Sequence, residues 1–446
     1  MQTRHNNQHI LIYIGTFFLY VLLWGWCNST FKNGDLGIGN MVCMSFSAIV
    51  EIGTIISLRK KGVKCYHVFL CVYFGVLLIN TLNISGYQTV KEVRDIYFYF
   101  VGGFVFAFWL YLGEKVNIKI VNTISIKQIG ERNLYRFIII GYILLSIVNF
   151  IRNGIPLLGG SYSSVALNMY KEGGISGISM ILSYILLILA SENKGKKRFV
   201  IYAIVILIEG VLKFSRGNLF RILLFLLINF IISLRYKDNY KKYTKYIVVF
   251  ILLLVVGFGL LGNLRTTIRG ERTGGSTTAW VNNSIDTNIN LGIFSWIYGY
   301  TAVNFDTMKM VYYQERTNPL STFITPIARI FGGTEATEQY NQEHAIDTGR
   351  IYSNFSVNSM KVFIAPYIRD MGYLFFIELS LVGFIYMLFI VYARKRNHTG
   401  LYNYIIMLCS LSVCGNYLFI STYLYTILGS IIMFSIVRPS EDSGYD

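Results

Sequence analysis

Apolar runs of about twenty residues recur along the whole chain and alternate with short polar segments. A helix of that length matches the hydrocarbon thickness of a bilayer. The pattern predicts an all-α, multi-spanning membrane protein with about twelve transmembrane helices. The predicted spans are 9–28, 37–58, 66–85, 96–112, 135–152, 176–191, 199–214, 217–234, 246–263, 370–392, 401–418 and 419–437. The pairs within 199–234 and 401–437 can each form one hairpin or a re-entrant turn.

Charged residues in the short loops predict the orientation of the spans. If the N-terminus is cytoplasmic, the loops on that side include RKKGVK at 59–64 and ARKR at 393–396. The outer loops at 29–36 and 86–95 hold only one and two Lys or Arg residues. Because positive loops are retained in the cytoplasm during insertion, both termini are predicted to be cytoplasmic.

One long polar segment, 264–369, interrupts the apolar pattern on the predicted outer side. It has 106 residues and holds nine of the forty Lys and Arg residues. A connection of that length is usually functional. The chain is therefore divided into spans one to nine at 1–263, a large extracytoplasmic segment at 264–369, and spans ten to twelve with a cytoplasmic tail at 370–446. Amphipathic stretches at 291–313 and 352–367 predict short helices within the segment.

Composition excludes a soluble globular protein. Hydrophobic residues make up 54% of the chain and charged residues 14%, against about 25% charged in a soluble domain. Most of the net charge of +17 is assigned to loops that orient the protein, so nucleic-acid binding is not predicted. The six cysteines show no CxxC or Cys/His spacing. No metal and no cofactor are predicted.

Three arginines follow the ninth predicted span, at spacings of four and three residues: Arg265, Arg269 and Arg272. If the helix continues past the membrane, they share one face. A guanidinium face near the lipid headgroups suits a diphosphate, because the fork of an arginine matches two phosphate oxygens. Plain anchoring at the membrane interface is the alternative.

A second charged group lies around the turn between the seventh and eighth predicted spans, and comprises Glu209, Lys213, Arg216 and Arg221. Glu209 and Lys213 are four residues apart, so an ion pair within one helix is expected to lower their cost in lipid. Charged residues within spans are candidates for function. Arg216 is predicted to face the same outer region as the arginine face, and a snorkelling turn is the alternative.

Candidate general bases lie in the outer segment. They are Glu343, His344 and Asp347, followed by Arg350 as a further cation for the diphosphate. Carboxylates and histidines are the usual proton acceptors in catalysis, although a solvated acidic turn fits the same pattern. Glu51 and Glu378 are intramembrane carboxylates that either bind polar neighbours or line a cavity.

Several short motifs resemble one enzyme family. They are Arg152-Asn-Gly-Ile-Pro156-Leu-Leu, Ser215-Arg216-Gly217, and the stretch NFSVNSMKVFIAPYIRDMGYLF, which contains Asp370-Met371-Gly372. Together with the large outer segment, they make the whole chain similar to the bacterial oligosaccharide repeat-unit polymerases (the Wzy type) of O-antigen and capsule assembly.

The resemblance implies a GT-C-like membrane enzyme in a bacterial cytoplasmic membrane. Its substrates would be an undecaprenyl-diphosphate-linked oligosaccharide donor and a second such unit as acceptor. Glycosyl transfer would invert the anomeric carbon without a metal. Arg216, Arg265, Arg269, Arg272 and Arg350 would bind the diphosphate, and the proton acceptor would come from His344, Asp347, Glu343 and Asp370. Membrane lipids, chain-length regulators and flippase proteins would be partners.

Two other functions remain open on the sequence. A ligase that moves finished polysaccharide from the same carrier shares the donor and the need for arginines. A transporter or flippase for the lipid-linked unit is a different class, and such proteins often carry internal repeats and broken spans.

Overall fold

The computed structural model describes residues 37–86, 88, 90–117, 131–155, 174–192, 196–213, 215–236, 240–268, 291–292, 294–313, 319–326 and 362–436. Over these ranges the chain forms helices joined by turns, and no β-strand occurs among them. The predicted all-α class is confirmed. The predicted span at 9–28 lies outside the described residues.

The helices follow the apolar pattern closely. In chain order they are α1 (Ile38–Lys61), α2 (Cys65–Asn80), α3 (Val93–Lys115), α4 (Glu131–Asn153), α5 (Gly174–Glu192), α6 (Lys196–Leu212), α7 (Arg216–Tyr236), α8 (Tyr240–Ile268), α9 (Phe294–Thr301), α10 (Asn304–Thr307), α11 (Ala365–Met371), α12 (Phe375–Lys395), α13 (Thr399–Ser410) and α14 (Ser421–Ile436). Met308–Tyr313 and Gly372–Leu374 are 3₁₀ turns.

Five stretches in the described ranges are long and apolar enough to cross a membrane. They are Ile38–Leu58, Val93–Lys115, Asn133–Asn153, Gly174–Glu192 and Ala365–Lys395. Shorter apolar helices lie at Cys65–Asn80, Phe199–Leu212, Gly217–Ser233, Lys245–Leu260 and Ser421–Ile436. These helices suggest a membrane protein, whereas the count of twelve spans and their orientation remain predictions.

The predicted span at 401–418 is wrong in its second half, because α13 ends at Ser410 and turns follow to 420. The polar backbone atoms of these turns bond to other parts of the protein. Phe363 N–H donates to the Ser412 carbonyl at 3.0 Å, and the Asn304 side-chain amide donates to the Val413 carbonyl at 3.0 Å. Irregular backbone is tolerated at membrane depth when protein groups satisfy it in this way.

The predicted span at 370–392 begins next to a break in the chain, and its helix α12 starts only at Phe375. Gly372 separates α11 from α12 and has φ 60° and ψ −126°. A residue with a Cβ rarely adopts that conformation, whereas glycine does so without steric cost. The glycine of the Asp370-Met371-Gly372 motif therefore marks a break in the helix.

The described residues form two units. The first contains α1 to α3 as far as Glu114, residues 291 to Met387, and the turns at Cys409–Tyr417. The second contains α4 to α8, the part of α12 from Leu388, α13 as far as Leu408, and α14. The division into 1–263, 264–369 and 370–446 is one of membrane topology and stays a prediction.

Aromatic side chains fill the core of the first unit. Tyr73 is fully buried, and its hydroxyl donates to the Tyr99 carbonyl at 3.0 Å. The Tyr99 hydroxyl donates in turn to the Phe305 carbonyl at 2.7 Å. Gly103 permits the close approach of α3, because a Cβ there would lie 2.8 Å from the Tyr73 ring. Residue 305 of the outer segment is thus fixed on α3.

In the second unit, the end of α5 caps the start of α13. The Glu192 carboxylate accepts the backbone N–H groups of Thr399 at 3.0 Å and Gly400 at 2.7 Å. These N–H groups have no partner within their own helix, and a carboxylate there also suits the helix dipole. Gly400 fits so tightly that a Cβ would overlap the Ile188 carbonyl oxygen and the Ser191 hydroxyl.

His398 immediately precedes α13 and packs against α14. Its ring stacks on Phe434 with centroids 3.7 Å apart and an interplanar angle of 10°. Burial lowers the pKa of His398 to about 4, and the neighbouring Arg396 charge acts in the same direction. The neutral imidazole is therefore the form that the folded protein favours.

We expect Gly400→Ala to lower the melting temperature of the detergent-solubilised protein, because the added methyl group meets a backbone carbonyl. Overpacking of this kind costs about 1–3 kcal/mol. Gly257→Ala in α8 is the matched control, since a Cβ there meets nothing within 4 Å. Equal melting temperatures for the two variants would contradict the close α5–α13 packing.

We expect stability to fall as the pH is lowered from about 6.5 towards the folded pKa of His398, which is about 4. In that window the unfolded chain binds a proton on His398 that the folded chain excludes, so acid favours unfolding. The His398→Phe variant keeps an aromatic stack on Phe434 and should show a flatter dependence. Thermal melts across this pH range measure the difference, and identical curves would refute the assignment.

Candidate functional site

Most of the predicted site lies outside the described residues. This applies to Arg269, Arg272, Glu343, His344, Asp347 and Arg350. Arg216 and Arg265 lie in described helices, but their side chains are not described. The catalytic and diphosphate-binding roles of all eight residues stay predictions.

The helix that carries Arg265 extends farther than the apolar run requires. The predicted span ends at 263, whereas α8 continues to Ile268. Arg265 is therefore helical, as the prediction of an arginine face requires at its first position. Arg269 and Arg272 follow beyond the described part of the helix.

A tight turn joins α6 and α7 into a helical hairpin. The Ser215 N–H donates to the Gly210 carbonyl at 3.1 Å, and the Leu219 N–H donates to the Ser215 carbonyl at 3.0 Å. Gly210 packs directly on Leu219, since a Cβ there would lie 2.8 Å from a Leu219 methyl group. Arg216 is consequently the first residue of α7.

The Glu209 carboxylate is the centre of a buried polar cluster in the second unit. It accepts hydrogen bonds from Lys213 Nζ at 2.6 Å, Tyr142 Oη at 2.6 Å and Ser146 Oγ at 2.7 Å. Ser179 Oγ lies 3.4 Å away. The predicted ion pair between Glu209 and Lys213 is confirmed. Donors from α4, from α5 and from the turn after α6 satisfy the carboxylate, so the cluster ties α4 and α5 to the α6–α7 turn.

Arg221 lies one turn beyond Gly217 on α7 and is buried. Its guanidinium carbon is 5.4 Å from the centroid of the Tyr423 ring in α14. A cation over an aromatic face is stabilised electrostatically, and more so where water is excluded. Nearby, the Tyr184 hydroxyl donates to Asn218 Oδ1 at 3.3 Å. The first two turns of α7 are therefore polar and are held against α5 and α14.

A buried ion pair attaches the outer segment to the first unit. Lys91 Nζ lies 2.6 Å from Asp306 Oδ1, and the two side chains are 0% and 2% exposed. The second oxygen of Asp306 accepts from the Asn80 amide at 2.6 Å, and the same amide also donates to the Ala302 carbonyl. Removing either charge would leave its partner buried without compensation, which is strongly destabilising.

A second ion pair joins residues 294–313 to the start of α3. Lys309 Nζ is 2.6 Å from Asp95 Oδ2 and donates to the Val90 carbonyl at 3.0 Å. Asp95 Oδ2 also accepts the Glu92 N–H at 2.9 Å, as in one half of a capping box at the start of α3. The loop after α2 and the helices at 294–313 are therefore joined at two charged contacts.

These contacts change the interpretation of the outer cations. Lys309 is one of the nine Lys and Arg residues of the outer segment, and it binds Asp95. Arg369 is buried, with Nε 3.9 Å from Asp370 Oδ1. For these two residues the charge is balanced at least in part by the protein's own carboxylates.

The structure distinguishes between the alternatives for Glu378. This carboxyl group is fully buried, and Oε1 accepts the Phe323 N–H at 2.8 Å. Asp370 is also buried, and its Oδ2 accepts the Thr322 N–H at 2.6 Å. Both carboxyl groups therefore bind the turn at 319–326 of the outer segment.

Glu51, the other intramembrane carboxylate, lies on α1 and contacts the thiol of Cys71 on α2.

Sequence reasoning missed the partners that hold the outer segment. Lys91, Asp95 and Asp306 belong to no motif of the sequence, although opposite charges in two polar segments are a usable signal. Glu378 is recognisable as an intramembrane carboxylate, but its partner is a backbone group that no side-chain pattern reveals. Among the described residues, no group of three or more His, Cys, Asp or Glu side chains is arranged to hold a metal.

Comparison with known proteins leaves the family open. No family model, curated protein or solved structure matches this chain. The membrane-protein character therefore follows from the helices, and the function is argued from the site residues and from the motifs that the sequence carries.

We expect Lys91→Met to lower the free energy of unfolding by about 3–5 kcal/mol, because Asp306 loses its buried counter-charge. Replacing both partners, as Lys91→Met with Asp306→Leu, should recover much of that loss. Thermal or denaturant unfolding in detergent measures both variants.

The matched control is Arg94→Met in the same unit. Arg94 lies 3.6 Å from Glu92, with side chains 31% and 65% exposed, and such a pair contributes at most about 1 kcal/mol. A Lys91→Met variant as stable as the Arg94→Met variant would show that the buried pair does not hold the outer segment.

Proposed function

We propose that this protein polymerises polyprenyl-diphosphate-linked oligosaccharide repeat units at the outer face of a bacterial cytoplasmic membrane. The growing glycan leaves its diphosphate carrier and is joined to a hydroxyl group of a second lipid-linked unit. The product is a surface polysaccharide of the O-antigen or capsular class.

The observation that carries the proposal is the attachment of the outer segment to the helices. A buried ion pair, Lys91–Asp306, and a partly buried one, Lys309–Asp95, hold residues 294–313. Two buried carboxyl groups hold 319–326. A segment that was only a linker would gain nothing from such contacts, whereas a segment that carries catalytic groups must be positioned by rigid elements.

Arginines at helix ends supply the chemistry that a diphosphate requires. Arg216 is the first residue of α7, where free backbone N–H groups and the helix dipole favour an anion. Arg265 lies in the last turn of α8, before Arg269 and Arg272. Bidentate guanidinium contacts stabilise phosphate oxygens more strongly than a point charge does.

The reaction follows from the proposed substrate. A base among Glu343, His344 and Asp347 accepts the proton of the acceptor hydroxyl, whose oxygen attacks the anomeric carbon. The bond from that carbon to the diphosphate breaks, and the configuration inverts. The arginines stabilise the charge that grows on the leaving diphosphate, each by about 1.5–3 kcal/mol.

A transporter of the same lipid-linked unit is the second candidate, because one predicted span is interrupted and another begins at a break. The breaks lie at Gly372 and at residues 411–420, and broken helices are common at the substrate sites of transporters. Purified transporter would move the unit across a vesicle membrane without lengthening it. Polymerase in detergent would produce a ladder of longer glycans.

We expect Arg216→Ala, and Arg265→Ala combined with Arg269→Ala, to lower the polymerisation rate by about 10-fold to 100-fold per arginine. Replacement by Lys should restore less than half of that loss in free energy, because Lys lacks the planar fork. The measurement is the product ladder formed by purified protein from a lipid-linked repeat unit.

Lys245→Ala is the matched control, since Lys245 is an exposed cation near the opposite end of α8. It should form the ladder at the wild-type rate. Unchanged rates in the arginine variants at normal protein levels would refute the diphosphate role. Normal-length chains that remain on the carrier in cells would instead indicate a ligase.

A further inference from the structure

The turn at 319–326 of the outer segment is built on two carboxyl groups from different helices. Residues 321–326 are helical, and the Ile324 N–H donates to the Leu320 carbonyl at 2.9 Å. The first N–H groups of a helix lie beyond the reach of the carbonyls of their own helix. Thr322 N–H donates to Asp370 at 2.6 Å, and Phe323 N–H donates to Glu378 at 2.8 Å.

The break at Gly372 allows both carboxyl groups to face the same turn. Asp370 lies on α11 and Glu378 lies on α12, on either side of this glycine. Ser321 Oγ adds a third donor, 3.2 Å from Asp370 Oδ2. The Asp-x-Gly motif thus provides both an acceptor and the bend that brings a second acceptor alongside.

The backbone of the turn is strained at one residue, so contacts with neighbouring residues must stabilise it. Leu320 has φ 65°, a left-handed conformation that is an outlier for a bulky residue. Such a conformation persists only where surrounding contacts determine it. The contacts of Asp370 and Glu378 with the next residues of the turn supply that constraint.

We infer that Asp370 and Glu378 are positioning residues, which hold the turn at 319–326 so that the outer segment is aligned for the transfer reaction. The inference rests on the proposed function. It assigns Asp370 a role through backbone contacts rather than through the reacting atoms. Misplacement of a catalytic segment by about 1 Å can slow a reaction about 100-fold.

The test combines two measurements on the full-length protein in detergent. Hydrogen–deuterium exchange reports on the amides of 319–326, and steady-state polymerisation of a lipid-linked repeat unit reports kcat and KM. In Asp370→Ala and Glu378→Ala, the amides should exchange about tenfold faster or more, because a charge-assisted hydrogen bond is lost. The polymerisation rate should fall about 10-fold to 100-fold, chiefly in kcat.

Conservative variants separate positioning from proton transfer. Asp370→Asn and Glu378→Gln keep an oxygen that accepts the backbone N–H, so protection of the amides and most of kcat should return. Thr325→Val is the matched control within the turn. Thr325 Oγ1 donates to the Ser321 carbonyl of its own helix and does not hold the turn on Asp370 or Glu378. Its exchange at residues 322 and 323 should match the wild type.

Three outcomes would overturn the inference. The first is fast exchange of these amides in the wild-type protein, which needs no variant to fold. The second is faster exchange in the Ala variants with unchanged kcat. The third is loss of activity in Asp370→Asn with full amide protection, which indicates proton transfer. A wild-type protein that makes no polymer would refute the proposed function. The exchange data would then test only whether Asp370 and Glu378 bind the turn at 319–326.

Discussion

A charged or polar group removed from water needs a partner, and this constraint organises the whole structure. In the first unit, Lys91 and Asp306 satisfy it across two distant parts of the chain. In the second unit, Glu209 satisfies it with donors from two helices and from the α6–α7 turn. Each case replaces hydration with specific contacts, and an incomplete set would be costly in an apolar environment. The contacts therefore determine which segments pack together.

Local patterns in the sequence predict local structure well. The apolar runs give most helices to within a few residues, because bilayer thickness and helical rise leave little freedom in length. The Glu209–Lys213 pair is also predictable, because its partners are one helical turn apart. The helix α8 extends to Ile268, so Arg265, the first residue of the predicted arginine face, is helical as expected.

Contacts between distant segments are much harder to predict. Lys91 and Asp306 are separated by 215 residues, and nothing in the spacing of either one selects the other. Glu378 bonds a backbone N–H, which every residue except proline offers. The span at 401–418 is wrong for the same reason, because hydropathy cannot reveal that Phe363 and Asn304 bond the backbone beyond Ser410. Of the predicted general bases, Glu343, His344 and Asp347 lie outside the described residues, whereas Asp370 binds the Thr322 N–H.

The long separation between Lys91 and Asp306 has a consequence for biogenesis. When a ribosome has delivered α1, α2 and α3 to the bilayer, the carboxylate that Lys91 binds has not yet been synthesised. Until then, the loop that carries Lys91 must keep its ammonium group hydrated, outside the hydrocarbon. The ion pair closes only after about 200 further residues have emerged. Docking of the outer segment is thus a late event, and the buried charge of Lys91 is neutralised only when it occurs.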